Sequence, residues 1–227
     1  RRFVFVLLDG FTLLSFASAL ECLRIANRMA GTELYTWTLC GDTDDVVTCS
    51  NGVRFHVDGP LGELGRDDVL ILCGGVDIQK AATRRMLNWL RREARKGVRI
   101  AGLCTAAWVM AKAGLLDGKR ATIHWENHDA FLEEFDEVTL TKSIFIIDGN
   151  RMTTAGGTSS IDLMLSLITD DHGDKLANAV ADQQIYSSIR TDQDTQRLSV
   201  PTRIGVRHPK LSQVIQMMEA NVEEPIS

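Results

Sequence analysis

The sequence has little that would suit a secreted, membrane-spanning or metal-binding domain. Its five cysteines are odd in number and contain no CxxC pair, so neither a disulfide framework nor a zinc site is indicated. No apolar run approaches the ~18 residues of a membrane span, and no signal peptide is visible. We therefore expect a cytoplasmic protein that has no membrane contact, no metal and no cofactor.

An excess of basic residues is also missing. Twenty-five lysine and arginine residues stand against thirty aspartate and glutamate residues, which gives a formal net charge of −5. A nucleic-acid surface needs a basic patch, so we expect this chain not to bind DNA itself. Its 227 residues, 44% of them apolar, can bury one core and leave room for appendages.

What the sequence does contain is an alternation of strand and helix patterns. Continuous apolar runs at residues 3–8 and 69–73 are typical of strands that are buried on both faces of a parallel sheet. Helical patterns follow them at residues 13–27 and 79–96. This alternation predicts an α/β fold, a flavodoxin-like sandwich with a mostly parallel sheet and helices on both faces.

Two local predictions concern the second half of the chain. Residues 138–140 and 143–147 are expected to form an antiparallel pair, and residues 148–150 a turn. Ser159 and Asp162 have the spacing of a capping box at the start of an apolar helix.

The stretch from Val98 to Trp125 is the most informative part of the chain. An apolar run stops at Cys104, and a helical pattern that ends at Gly114 follows. A strand that feeds a helix through a single cysteine is the layout of a nucleophile elbow. The helix N-terminus is expected to favour the thiolate, and His124 closes a segment that is expected to return as a strand beside the first.

The carboxyl ends of the strands are where ligands bind in an open α/β sheet. Gly74-Gly75 lets backbone N–H groups approach a ligand, and together with the N–H of Thr105 they could form an oxyanion-hole-like set of donors. The alternative is a turn beside a buried free cysteine. We predict no catalytic residue and a ligand site formed by Ser15, Gly74, Gly75, Cys104, Thr105, His124, Trp125 and Glu126.

The segment GLCTAAWVMAKAGLLDGKRATIHW resembles the elbow of the ThiJ/PfpI (class I glutamine-amidotransferase-like) superfamily, and more narrowly the sensor half of AraC-type transcription regulators. The segments LLDGFTLLSFASALECLRIAN, LILCGGVDIQ and MTTAGGTSSIDLMLSLI occur in the matching order, and HPKLSQVIQMMEANVEEPIS follows late. Within that group the chain is most similar to regulators that sense quaternary amines and amino-acid-like catabolites, such as glycine betaine, carnitine or arginine.

The resemblance implies a sensor more than an enzyme. In the enzymatic relatives an acidic residue, five positions after the glycine that ends the first strand, lies against the cysteine. Counting five from Gly10 gives Ser15, so the acid is missing. The other two members of a catalytic set, Cys104 and His124, are present.

The implied effector is a small zwitterion or amine. Its carboxylate would lie on the N–H groups of Gly75, Cys104 and Thr105. Its cationic end would pack on Trp125 or Trp108, with Glu126 or Asp9 to balance the charge.

Two other functions stay open at this point. A cysteine hydrolase, hydratase or glyoxalase-like enzyme would use Cys104 and His124. A redox sensor would use oxidation of Cys104.

The resemblance also divides the chain. Residues 1–187 are expected to form the ligand-sensing domain, and residues 188–227 a linker and a helix that lead to a helix-turn-helix domain absent from this chain. We interpret the polar tract 188–207 as a linker or as an arm that packs on another subunit. The first residue is not Met and the last segment stops in mid-pattern, so we expect a trimmed fragment whose DNA contacts lie in the missing domain.

The resemblance further predicts a homodimer, because regulators of this type bind two DNA half-sites and the superfamily commonly pairs through its α/β domain. Size-exclusion chromatography with light scattering should therefore give twice the 25.1 kDa mass of the chain. A mass of one chain across the concentration range would contradict this prediction.

Overall fold

A computed structural model of the chain describes residues 1–42 and 45–196, together with five helical residues, 210, 211, 214, 217 and 218. Within residues 1–42 and 45–196 the α-helices are α1 (Leu13–Ala30), α2 (Arg84–Arg95), α3 (Ala107–Lys112), α4 (His128–Glu134), α5 (Ser159–His172) and α6 (Asp174–Gln183). The strands are β1 (Arg2–Leu7), β2 (Thr36–Gly41), β3 (Val46–Thr48), β4 (Arg54–His56), β5 (Gly59–Pro60), β6 (Val69–Cys73), β7 (Arg99–Leu103), β8 (Arg120–Ala121), β9 (Thr139–Leu140), β10 (Phe145–Asp148) and β11 (Arg151–Thr154).

The central sheet has seven strands in the order β10-β11-β7-β6-β1-β2-β5. Every neighbouring pair is parallel except β10 and β11, which form a hairpin at one edge. The predicted flavodoxin-like fold with a mostly parallel sheet is confirmed. A parallel sheet has to be covered on both faces, which explains the continuous apolar character of β1 and β6.

The side chains of β1 show how the two faces are covered. Phe3, Phe5 and Leu7 point into the layer formed by α1, α5 and α6. The alternate residues of the same strand, such as Val4 and Val6, point into the layer that contains α2 and α3. The period of two along a strand thus builds one core on each side of the sheet.

Strand order reverses at β1, which lies between β2 and β6, and the loops after β1 and β6 meet there. Thr12 donates its backbone N–H to the carbonyl of Gly74 (3.0 Å), and Val76 donates to the carbonyl of Gly10 (3.1 Å). The two loops approach so closely that a Cβ atom on Gly75 would lie 2.0 Å from the Gly10 oxygen. Only glycine fits at position 75.

The returning strand predicted at His124 is wrong. Arg120–Ala121 (β8) pairs with Thr139–Leu140 (β9) in a separate two-stranded sheet, and β11 takes the place beside β7. Residues 138–140 and 143–147 do not pair with each other as predicted. β9 pairs with β8, and β10 pairs with β11. The 148–150 turn instead connects β10 to β11.

Two predicted helix starts also differ from the structure. The helix expected from Gln79 begins only at Arg84, where the Thr83 hydroxyl accepts a hydrogen bond from the N–H of Met86 (3.1 Å). At α5 the predicted capping box is absent, because Ser159 donates to the carbonyl of Gly156 and Asp162 binds residues from the end of the domain.

The segment that follows α6 lies against its own domain as far as residue 196. Arg190 contacts α5, and Thr195 forms a bridge with Ser143. Residues 197–209, most of the last predicted helix (Ile215 included) and the remainder up to 227 lie outside the described residues. The boundary at residue 187 stays a prediction. In the part of the chain that is described, no helix is long and apolar enough to cross a membrane.

Substitution at Gly75 tests the contact between the two loops. Gly75→Ala should lower the free energy of unfolding by about 1–3 kcal/mol or more, because the new methyl group meets backbone atoms that cannot move aside. Gly62→Ala is the matched control, since a Cβ atom there has no neighbour within 4 Å. Urea denaturation of the two variants measures the difference, and equal stability would contradict the close approach.

Candidate functional site

Cys104 follows β7 directly and has the backbone geometry of an elbow. Its φ angle is 61°, a left-handed conformation that costs a non-glycine residue about 1–3 kcal/mol. Residues 104–106 form a single 3₁₀ turn before α3 begins at Ala107. The sharp turn holds the thiol among the strand ends, where its residue is only 5% exposed.

Two elements close around the sulfur. The Thr12 hydroxyl, at the start of α1, donates a hydrogen bond to Cys104 Sγ (3.6 Å). On another side lies Gly156, which has a φ of 87° and whose hypothetical Cβ would be 2.9 Å from the sulfur. The next residue, Gly157, donates its N–H to the Ser15 hydroxyl (2.7 Å). The predicted residue Ser15 thus holds the loop that covers the cysteine.

The surroundings of Cys104 favour the thiol. Burial raises the pKa of Cys104 above its ordinary value, and the negative charge of Glu126 acts in the same direction. Hydrogen bonds from the Thr12 hydroxyl and the Thr105 N–H lower the pKa but do not offset burial. The expectation that the elbow would favour the thiolate is therefore wrong, because desolvation of the charged form outweighs the few donors.

Gly74 and Gly75 bring the elbow close to the place where the strand order reverses. The Thr105 hydroxyl donates to the carbonyl of Gly75 (2.6 Å) in a fully buried contact. A Cβ atom on Gly74 would lie 2.5 Å from the backbone nitrogen of Ala106. The N–H of the buried Gly75 makes no backbone hydrogen bond among the described residues.

The three residues after β8 form a more exposed group. His124 Nδ1 accepts a hydrogen bond from the backbone N–H of Glu126 (3.4 Å) and lies 3.8 Å from its carboxylate. The neighbouring indole of Trp125 is tilted against the imidazole at 5.7 Å, and its residue is 43% exposed. In the described structure no hydrogen bond joins His124 to Cys104. Trp108, in contrast, is a core residue that packs edge-on against aromatic rings of the α4 region.

A cavity of about 280 Å³ lies at the reversal of strand order. It has acidic walls from Asp9, Asp42 and Asp77, and a single lysine, Lys80, which pairs with Asp77 (2.7 Å). None of the eight predicted ligand-site residues, Cys104 included, lines this cavity. The predicted site and the cavity are therefore distinct.

Sequence reasoning missed Thr12, Gly156 and Gly157. The two glycines follow β11 after a single residue, Ala155, much as Gly74-Gly75 follows β6 directly, and this similarity was a usable signal. Thr12 carried no signal, because a threonine before a helix is expected as an N-cap. Here its side chain makes no cap hydrogen bond and turns to the sulfur instead.

The chain is similar to known proteins along its length. The model of the DJ-1/PfpI family matches residues 1–170. The chain is 46% identical over 227 residues to the HTH-type transcriptional regulator CdhR of Pseudomonas aeruginosa, an alignment that covers 100% of this chain and 67% of that protein. It is 43% identical over 222 residues to the HTH-type transcriptional regulator GbdR of the same species, covering 98% of this chain and 60% of that protein. The chain thus spans only part of the length of these relatives.

Two further similarities bear on fold and chemistry. A crystal structure of an AraC family transcriptional regulator from Pseudomonas putida superposes with a TM-score of 0.72 at 27% identity, over 81% of this chain and 98% of that one. Isonitrile hydratase of Pseudomonas putida is 31% identical over 142 residues, 62% of this chain and 61% of that protein. Relatives of this chain therefore include both regulators and an enzyme.

The environment of Cys104 predicts slow alkylation at neutral pH. The alkylation rate of this residue with iodoacetamide is followed by mass spectrometry as the pH is raised. It should increase along a titration curve whose pKa lies above that of an ordinary thiol. Thr12→Val should raise this pKa further, because it removes the hydroxyl that donates to the sulfur. Thr32→Val, in the turn after α1, serves as the control. A pKa below the ordinary value would contradict the burial argument and favour a catalytic thiolate.

Proposed function

The chain belongs to the DJ-1/PfpI family, and from that premise we propose that it is the effector-sensing domain of a helix-turn-helix transcription regulator. One observation carries the proposal. The alignment with CdhR extends over the whole chain, so it includes the elbow, the glycine loops and the segment after α6. Those regulators are longer than the matched segment. DNA contact would belong to the part of such a regulator that this chain does not match, in keeping with its net charge of −5.

We propose that the site holds its ligand without transforming it. A nucleophilic cysteine needs a base within reach and a group that orients the base. Here a hydroxyl, that of Thr12, is the hydrogen-bond partner of the sulfur, and the imidazole of His124 bonds within its own turn. Ser15, at the position of the acid in enzymatic relatives, is engaged with Gly157. These contacts support binding more than catalysis.

The proposed ligand is a small zwitterion or amine of the glycine betaine, carnitine or arginine type. Its carboxylate would accept hydrogen bonds from the N–H groups near Gly75 and Thr105. Its cationic end would contact the exposed indole of Trp125, with Glu126 supplying the opposite charge. Gly74, Cys104, Ser15 and His124 would complete the wall.

A second candidate function is a cysteine-dependent hydrolase or hydratase that uses Cys104 and His124. The similarity to isonitrile hydratase favours this candidate. It requires the imidazole to turn toward the sulfur and the thiol to ionise near neutral pH, against the effect of burial. Turnover abolished by both Cys104→Ser and His124→Ala would establish it.

Isothermal titration tests the ligand class directly. At least one of glycine betaine, carnitine and arginine should bind with measurable heat. Trp125→Ala should weaken that binding about 2- to 30-fold, because a desolvated cation–π contact contributes roughly 0.5–2 kcal/mol.

Two controls sharpen this titration. Trp125→Phe keeps a ring and should recover part of the affinity, whereas Leu132→Ala, an exposed apolar residue on α4, should leave it unchanged. Absence of heat with every compound, from protein whose circular dichroism shows a folded α/β domain, would refute the zwitterion class.

A further inference from the structure

The chain after α6 forms a strap, residues 186–196, that runs across the end of α5 and the edge strand β10. It is held to the domain at two anchors, one at Arg190 and one at Gln196. Between them the backbone N–H of Ile144 donates to the carbonyl of Asp194 (2.9 Å), and Thr195 forms a bridge with Ser143. The strap is therefore docked along its length in the described structure.

The first anchor is an ion pair on α5 between a buried carboxylate and a guanidinium whose side chain is 33% exposed. The Asp162 carboxylate is completely buried and accepts hydrogen bonds from the guanidinium of Arg190 (2.7 and 3.1 Å), from the backbone N–H of Arg190 (2.9 Å) and from the Tyr186 hydroxyl (3.0 Å). Arg190 also donates to the Thr158 hydroxyl (2.9 Å). Removal of the guanidinium would leave the buried carboxylate without its cation, so the ion pair favours the docked strap.

The second anchor is the amide of Gln196. Its nitrogen donates to the carbonyl of Ile123 (2.9 Å), to the Thr122 hydroxyl (2.9 Å) and, at 3.3 Å, to the carbonyl of Ser143. The Thr122 N–H in turn donates to the hydroxyl of Thr153 in β11 (2.9 Å). This anchor therefore joins the strap to the sheet and to the residues just before His124.

Each anchor adjoins one wall of the Cys104 site. The Thr158 hydroxyl, which accepts a hydrogen bond from Arg190, belongs to the residue that directly follows Gly156 and Gly157. Gly156 covers the sulfur, and Gly157 binds the Ser15 hydroxyl. Ile123, which accepts from Gln196, directly precedes His124. Only one or two residues of backbone therefore separate each anchor from Gly157 or from His124.

We propose that the strap reports the state of the Cys104 site to the chain beyond residue 196. In one state it is docked as described. In the other it is released from Asp162 or from Ile123, because a group that occupies the site has displaced the Gly156–Gly157 loop or the turn at His124. The role of this coupling in regulation rests on the proposed function, whereas the coupling itself requires only the two states.

The coupling is reciprocal, so it can be measured from both ends without an effector. First, Arg190→Ala and Gln196→Ala should each raise the alkylation rate of Cys104 by iodoacetamide about 5-fold or more, the low end of typical couplings. Second, carbamidomethylation of Cys104 should accelerate hydrogen exchange in residues 186–196 by a similar factor. The backbone of Gly156 lies against the sulfur, so we expect the added group to press on that loop.

Internal controls separate coupling from loss of stability. Cys73, in the middle of the sheet, is fully buried and reacts only on extensive opening, so the Cys104 rate is expressed relative to the Cys73 rate. Arg92→Ala is the matched variant, because it removes one cation from Glu93, another fully buried carboxylate, on α2. Arg92→Ala should leave the ratio of the Cys104 rate to the Cys73 rate unchanged. Arg190→Lys should restore part of the wild-type ratio. Iodoacetamide-treated Cys104→Ser controls for adducts on the other cysteines.

Two results would overturn the proposal. One is a Cys104 to Cys73 ratio that stays at the wild-type value in both Arg190→Ala and Gln196→Ala. The other is unchanged hydrogen exchange of residues 186–196 after modification of Cys104. Neither depends on the titration with zwitterions, so failure of the proposed ligand class and failure of the strap are separate outcomes.

Discussion

The close approach of Gly10 and Gly75 is the contact on which the rest of the site depends. It joins the loops after β1 and β6 at the reversal of strand order, where an open α/β sheet leaves a crevice. The Thr105 hydroxyl binds the carbonyl of Gly75, so the elbow is positioned by the same contact. Thr12, two residues after Gly10, then reaches the sulfur of Cys104. The position of the thiol is thus set by backbone packing, and no charged partner is needed to hold it there.

Hydroxyl groups take the places around Cys104 where an acid would be expected in an enzyme. Thr12 donates to the sulfur, and Ser15 accepts from the N–H of Gly157. A hydroxyl group forms a directional hydrogen bond but carries no charge, so the buried sulfur can stay protonated. Among the described residues, neutral hydroxyl groups thus lie next to the sulfur and to the loop that covers it, and Glu126 acts on Cys104 through its negative charge.

The fold was predictable from the sequence because its strands and glycine turns carry local patterns. Residues 3–8 and 69–73 are apolar without interruption, and Gly74-Gly75 ends the second run where the loops have to meet. The pairing of β8 with β9 was not predictable, since two-residue strands have no periodicity of their own. The site was predictable in part. Cys104 follows from the strand-to-helix pattern and Ser15 from the resemblance to the ThiJ/PfpI superfamily, but the contact of Thr12 with the sulfur arises from the meeting of distant segments.

Asp162 shows the limit of local rules most clearly. Its spacing from Ser159 is that of a capping box, and a short-range interpretation assigns it to the helix terminus. In the structure it is completely buried and binds Arg190, twenty-eight positions later in the chain. No pattern within one helix distinguishes these roles. The role of Asp162 is decided by the distant segment that packs on α5 and contains Arg190.

The central position of β1 has a consequence for how the sheet forms. β1 has neighbours on both sides, β2 and β6, and the register with β6 joins Phe3 to Val69 and Leu7 to Cys73, which lie 66 positions apart in each pair (69 − 3 and 73 − 7). The entropy of closing that loop precedes the gain from pairing β1 with β6. The β10–β11 hairpin joins neighbouring segments, so the centre of the sheet depends on a far longer loop closure than its edge does.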